Sequence, residues 1–185
     1  AAEIMLNEPS PDLEELRAIV ADILRDDHRA GDVIDRLRSL LKRGSLNPQP
    51  ISLAEVVGEV LSLVRADAAV RHVRLESSIA SKLPLVLGDK IHLQQVLINL
   101  LVNAMDALDG VPQNERVVRV TIRETGAGAV EVEVADKGQG IAKEHLPRLF
   151  EPFFTTKGSG MGIGLPVSKT IIEAHKGKLW AENDP

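Results

Sequence analysis

The chain has 185 residues, enough for one ordinary domain with an extended element, and 44% of it is apolar, enough to bury a core. A net charge of -5 argues against a broad basic surface and so against a nucleic-acid partner. The lack of cysteine excludes disulfides, thiolate metal sites and cysteine nucleophiles, while no apolar run approaches the roughly 18–20 residues of a membrane span and the first residues do not form a secretory signal.

After a short lead ending in Asn7-Glu8-Pro9-Ser10-Pro11, apolar residues recur at Leu13, Leu16, Val20, Ile23, Ala30, Ile34, Leu37 and Leu41, with Asp27 where an apolar residue is due. Such spacing predicts a long coiled-coil-like helix, capped by Ser10 or Asp12 and stopped at Gly44, whose stripe must pack on another helix. Leu46-Asn47-Pro48-Gln49-Pro50 reads as a linker, because closely spaced prolines disfavour helix on both sides. From Ile51 the pattern becomes mixed. A helix is predicted over 52–70, a strand over 73–79, a short strand over 85–87 and a helix over 90–108. Strands over 117–124 and 130–136 alternate apolar residues with Arg, Glu or Thr, which suggests an antiparallel hairpin with one wet face. A last helix is expected over 164–175, and a strand begins at 178–181.

Three stretches carry chemistry. In the helix around residue 100, Gln95, Asn99 and Asn103 stand four residues apart and share a face, with Val96, Leu97, Leu100, Leu101 and Ala104 towards the other side. Asparagine is a poor interior helix residue, and a side-chain amide oxygen suits Mg²⁺, which takes much of its coordination from phosphates and water. Asn103 is therefore the metal candidate. In Asp136-Lys137-Gly138-Gln139-Gly140-Ile141, Asp136 can accept a hydrogen bond from an exocyclic amine while the glycines admit a flat ring and Ile141 covers it; alone, this pattern is also that of a common strand-to-turn junction. In the run from Phe153 to Pro166, Gly158, Gly160, Gly162 and Gly164 can present backbone N–H groups to an anion ahead of a helix, with Lys157 as a movable positive charge. The glycine spacing fits neither G-x-x-x-x-G-K-[ST] nor G-x-G-x-x-G, so a P-loop, protein-kinase or Rossmann site is unsupported.

Taken in order, NLLVNAMDAL (99–108), DKGQGI (136–141), LFEPFFTTK (149–157) and GSGMGIGLP (158–166) resemble the N box, first glycine box, F box and second glycine box of the sensor histidine kinases of two-component signalling. Residues 25–44 followed by 51–64 resemble the second helix of the dimerisation and histidine-phosphotransfer domain and its passage into the catalytic domain. The resemblance implies an α+β fold of Bergerat type, a sandwich of mixed sheet and helices preceded by the long helix. It divides the chain into residues 1–46, the end of the first helix, the hairpin loop and the second helix of the dimerisation and phosphotransfer domain, and residues 47–185, an ATP-binding domain lacking its last strand.

The same resemblance implies the site and the activity. ATP and Mg²⁺ are the cofactors, Asp136 the acceptor for the adenine amine, Asn103 the Mg²⁺ ligand and Asn99 its catalytic neighbour. Gly138, Gly140 and Ile141 line the base, Phe153 and Phe154 anchor a lid, and Gly160, Gly162 and Gly164 close on the phosphates with Thr156 and Leu165. Lys157 steers the terminal phosphate. The expected reaction is transfer of that phosphate to a histidine upstream of residue 1, since His28, His72, His92, His145 and His175 lack the family's acceptor context. Expected partners are a second copy, through the helical hairpin, and a response-regulator receiver domain. The expected location is cytoplasmic, either on its own or as the cytoplasmic part of a membrane-anchored sensor, with no membrane contact in this chain. A nucleotide-binding and dimerisation module without kinase activity is the alternative.

Overall fold

The computed structural model describes residues 14, 15, 19, 20, 46–126, 128–157 and 160–183. The chain forms two compact units, Ala1–Gly44 and Ser45–Pro185. In the first, Glu14, Glu15, Ile19 and Val20 are helical. The rest of the predicted apolar seam, with its caps and its stop at Gly44, lies outside the described residues.

The second unit runs β1 (Gln49–Ile51), α1 (Leu53–Val70), β2 (Arg74–Ile79), β3 (Val86–Gly88), α2 (Lys90–Ala107), β4 (Val117–Thr125), β5 (Ala129–Asp136) and α3 (Gly164–Ala174). Ser52 opens α1 by accepting from Glu55 N–H, and Asp89 opens α2 by accepting from Ile91 and His92 N–H. Each cap satisfies donors that the first helical turn leaves without partners.

The main sheet has the order β2-β4-β5 and is mixed. Strand β2 runs parallel to β4, with Arg74 opposite Val117, and β4 runs antiparallel to β5, with Thr125 opposite Ala129. Along β4 the alternation sorts the two faces. Val118, Val120 and Ile122 are buried in the core, while Arg119 and Arg123 are exposed on the other face and pair with Glu76 and Glu131. Helices α1 and α2 cover the apolar face through Val56, Val57, Val60 and Val64 on one side and Leu93, Leu97, Leu101 and Met105 on the other. Helix α3 packs on α2 through Val167, Ile171 and Val96, so α2 has a sheet-side contact, a contact with α3 and a remaining polar strip.

Two segments depart from expectation. The Pro-rich stretch read as a linker contributes β1, whose Gln49, Pro50 and Ile51 face Gly88, Leu87 and Val86. A two-stranded ladder has only edges, and an edge tolerates a residue without an N–H. The segment 178–181 joins no ladder among the described residues; the end of the chain is held instead by the side chain of Asn183. No helix among the described residues is long and apolar enough to cross a membrane.

Candidate functional site

The polar strip of α2 collects the separate motifs. From Asn99 to Ala107 the helix advances about 12 Å. Along that length it meets the start of α3, then Lys157, then the turn that follows β5.

At the upper end, Asn99 Nδ2 donates to Ser168 Oγ on α3 at 3.0 Å, and Ser168 is 2% exposed. The other edge of the same amide faces Gly164: a Cβ there would collide with Asn99 Oδ1. The N box and the second glycine box therefore touch, and any side chain at 164 would displace the Asn99 amide. Helix α3 begins at Gly164 with no side-chain cap, unlike α1 and α2; Pro166 has no N–H and Val167 donates to Ile163 O, so the N–H groups left for an anion are those of Gly164 and Leu165.

One turn further, Asn103 Oδ1 accepts a hydrogen bond from Lys157 Nζ at 3.1 Å. The same ammonium lies 2.8 Å from Asp106 Oδ2. Asp106 Oδ1 accepts from Arg71 Nη1 at 2.7 Å. Burial by itself would raise the Asp106 carboxyl, but the hydrogen bonds and charges of Lys157 and Arg71 hold it below the ordinary carboxylate value. Arg71 is itself tied down, since its Nε pairs with Asp67 and its backbone carbonyl accepts from Arg116 Nη1.

At the lower end, Gly138 lies against the last residue of α2. A Cβ at Gly138 would come within 2.5 Å of the Ala107 carbonyl oxygen, and its N–H donates to Asp136 Oδ1 at 2.8 Å. Asp136 closes its own turn in this way, as aspartate commonly does two residues ahead of itself, and stays exposed. Gly140 and Ile141 continue the turn beneath Asn183, which bonds Ile141 through both backbone groups.

The predicted F box divides in two. Phe154 is half-buried, with its ring against His145 and the Arg148 guanidinium. Phe153 is 72% exposed, and it contributes through its backbone, whose N–H donates to Gly162 O at 3.0 Å. Gly162 has φ +63° and its missing Cβ would overlap the Phe154 carbonyl, so this crossing of chains needs glycine for both reasons. Gly160 donates its N–H to Lys157 O, Thr156 is exposed, and Leu165 is the second residue of α3. Gly158 lies outside the described residues.

Four contributors were not singled out in the sequence: Asp106, Arg71, Ser168 and Asn183. Asp106 was findable, because it follows Asn103 by three residues and must share its helix face. Arg71, Ser168 and Asn183 act across 35, 69 and 42 residues, and no local pattern announces such partners.

As a donor set, the strip offers the neutral oxygen of Asn103 and the carboxylate of Asp106, both hard ligands suited to Mg²⁺. Among the described residues no group of three or more His, Cys, Asp or Glu could hold a metal ion. The arrangement thus fits a metal that brings most of its ligands with it as phosphate and water, rather than a caged one.

Known proteins resemble this chain in sequence and in fold. The sensor protein FixL of Bradyrhizobium diazoefficiens is 42% identical over 156 residues, covering 84% of this chain and 30% of FixL. The chain therefore spans less than a third of that relative's length. Among solved structures, the catalytic domain of the histidine kinase ThkA is similar with a TM-score of 0.66 at 31% identity, covering 75% of this chain and 89% of that domain. ThkA in complex with the response regulator TrrA matches with a TM-score of 0.70 over 96% of this chain and 49% of that one, at 24% identity, which is a likeness of fold alone. The family described as histidine kinase-, DNA gyrase B-, and HSP90-like ATPase matches residues 88–185, the stretch that carries α2, the β4–β5 hairpin and α3. With its motifs gathered along α2 in a fold shared with histidine kinase catalytic domains, the chain belongs to the histidine kinase-, gyrase B- and HSP90-like ATPase family.

Proposed function

We propose that this chain is the ATP-binding catalytic part of a sensor histidine kinase, which binds Mg-ATP along the polar strip of α2 and donates its terminal phosphoryl group to a histidine on a helix upstream of residue 1. The observation that carries the reading is the meeting of Asn103 Oδ1, Lys157 Nζ and Asp106 Oδ2 beside the uncapped start of α3. An amide oxygen, an ammonium and the two backbone N–H groups of Gly164 and Leu165 in one region suit a polyphosphate with its metal.

In this reading Asp136 accepts from the adenine amine, while Gly138, Gly140 and Ile141 flank the ring. Asn103 holds the metal, and Lys157, Gly160, Gly162, Gly164, Thr156 and Leu165 surround the phosphates. Phe153 and Phe154 set the segment that covers them. Magnesium, when bound, neutralises charge on the phosphate oxygens and aligns the terminal group. Asn99 is held by Ser168 next to Gly164 and, being an amide, cannot serve as a general base for water. That favours transfer over hydrolysis: a bond forms from the acceptor imidazole nitrogen to the terminal phosphorus as the bond to the bridging oxygen breaks and ADP leaves. Residues 1–46 would supply part of a dimerising hairpin and 47–185 the catalytic domain. A response-regulator aspartate would then receive the phosphoryl group, as the complex of ThkA with TrrA suggests.

The test is phosphotransfer in trans. This chain is incubated with labelled Mg-ATP and a longer version that restores the upstream helix but carries Asp136→Asn. Acid-labile label on the longer chain, abolished when its upstream histidine is replaced, is the expected result. Mg-ATP binding without any label would reduce the chain to a nucleotide-binding module.

A further inference from the structure

One side chain that meets Lys157 at the strip is given no separate task in the reading above. Asp106 is turned towards two cations, with Oδ2 on Lys157 and Oδ1 on Arg71, and these contacts keep it ionised against its burial. Lys157 comes from the segment before α3, and its ammonium reaches α2 at two points only one turn apart, Asn103 Oδ1 and Asp106 Oδ2. Arg71 closes the far side of Asp106, and Arg71 is fixed in turn by Asp67 and Arg116. The chain of contacts thus runs from the end of α1 through α2 to Lys157.

We propose that Asp106, braced by Arg71, is the positioning residue for Lys157: it holds the ammonium on Asn103 Oδ1, so that Lys157 and a nucleotide-borne divalent cation compete for that oxygen. The proposal rests on the nucleotide reading for its second half only. A metal ligated by an amide oxygen stands about 2.0–2.1 Å from it. An ammonium 3.1 Å from the same oxygen would then lie within a few ångströms of a doubly charged ion, and the two would repel strongly at that range. With a divalent cation on Asn103 Oδ1, Lys157 would leave that oxygen, and the phosphate charge accompanying the cation would be its nearest stronger attraction. Asp106 makes Lys157 available for the phosphates only after the cation is in place, and it keeps Asn103 from being an unguarded polar group beforehand.

The first arm of the test needs no nucleotide. Lys157 is acylated with a water-soluble amine reagent and its modification rate read by mass spectrometry, with the other lysines as internal standards. Asp106→Asn should raise the rate at Lys157 about two- to fivefold, which is what a part-exposed ion pair is worth. Asp106→Glu, which keeps the charge, should stay closer to the parent rate, and Arg71→Gln should raise it less than Asp106→Asn does. Arg71→Gln also serves if Asp106→Asn fails to fold. Equal rates across the variants would overturn the proposal.

The second arm is a binding cycle for Mg-ATP over Asp106→Asn, Lys157→Gln and the double variant. Asp106→Asn should tighten Mg-ATP about two- to fivefold more when Lys157 is present than in the Lys157→Gln background. Additive effects would overturn the competition, since Asp106 would then act on phosphates by its own charge. If the parent chain binds no Mg-ATP at all, the nucleotide reading falls, and the competition with it, while the acylation rates still decide whether Asp106 positions Lys157.

Discussion

The side chain of Asn183 grips the backbone of Ile141 at both ends: Nδ2 donates to the Ile141 carbonyl at 2.7 Å, and Oδ1 accepts from its N–H at 2.8 Å. An amide that bonds a peptide unit in this way does for one residue what a neighbouring strand would do for several. It replaces the ladder expected at the end of the chain and fixes the turn after Asp136. Asn183→Ala should cost about 1 kcal/mol, because both bonds are solvent-exposed. It should also weaken nucleotide binding, whereas Asn183→Asp, which keeps the acceptor and loses the donor, should fall between. Urea unfolding and a nucleotide titration on the same three proteins check both effects.

Gly162→Ala places a methyl on a residue with φ +63° and drives it into the Phe154 carbonyl. The segment from Phe153 to Gly162 must then rearrange, at a local cost of about 1–3 kcal/mol. Ile163, the next residue, packs in the α2–α3 cluster and not in the cluster on the sheet, so the far-ultraviolet circular dichroism should be unchanged while ATP affinity drops about tenfold or more. Loss of both together would show that the crossing supports the whole domain.

Asp136→Asn tests the adenine assignment with little structural penalty, because the amide oxygen can still accept from Gly138 N–H. What changes is the second oxygen, which would become a donor facing another donor. The expected loss is about 1–3 kcal/mol in nucleotide affinity with unfolding unaltered. An unchanged dissociation constant, measured by calorimetry, would remove Asp136 from the base site.

Burial alone would raise the Asp89 carboxyl, but hydrogen bonds from the backbone N–H groups of His92, Asn47 and Ile91, with the charge of His92, hold it below the ordinary value of 3.8. A carboxylate whose folded value is depressed adds stability that is complete above its unfolded value and is lost as pH falls through the folded one. Asp89→Asn keeps an acceptor for the start of α2 but cannot titrate. The stability gap between parent and variant should therefore narrow as pH is lowered from about 5 to about 3. A constant gap across that window in denaturant melts would count against the assignment.

Much of the second unit was readable from pattern alone. The alternation at Val118, Val120 and Ile122 against Arg119 and Arg123 is enough to predict β4 and its wet face, and the spacing of Leu93, Leu97 and Leu101 marks the buried side of α2. The site was legible as a set of motifs, since Asn99, Asn103, Gly138, Lys157 and Gly164 were all named and do gather along α2. What stayed hidden is what depends on partners distant in sequence. Pro50 argued for a linker because its local preference was visible and its ladder with Leu87 was not. Ser168 looked like an ordinary helix residue, and only the fold buries its hydroxyl against Asn99. Phe153 and Phe154 had identical prospects until a left-handed backbone turn sent one ring to solvent and the other onto His145 and Arg148.

The parallel pairing of β2 with β4 bears on the order in which the molecule comes together. Strands β4 and β5 meet through a short turn, and hairpins of this kind close in about 1–10 μs. Strand β2 finds β4 only when the intervening residues 80–116 have been looped back, a slower event dominated by chain entropy. Helix α2 is part of that loop. Of the residues proposed to meet nucleotide and metal, Asn99 and Asn103 thus ride on the crossover itself, and they join Asp136 and the later glycines only in the step that completes the sheet. A half-folded chain has nowhere to bind ATP, so ATP added during refolding should leave the early hairpin untouched and slow only the unfolding of the finished domain.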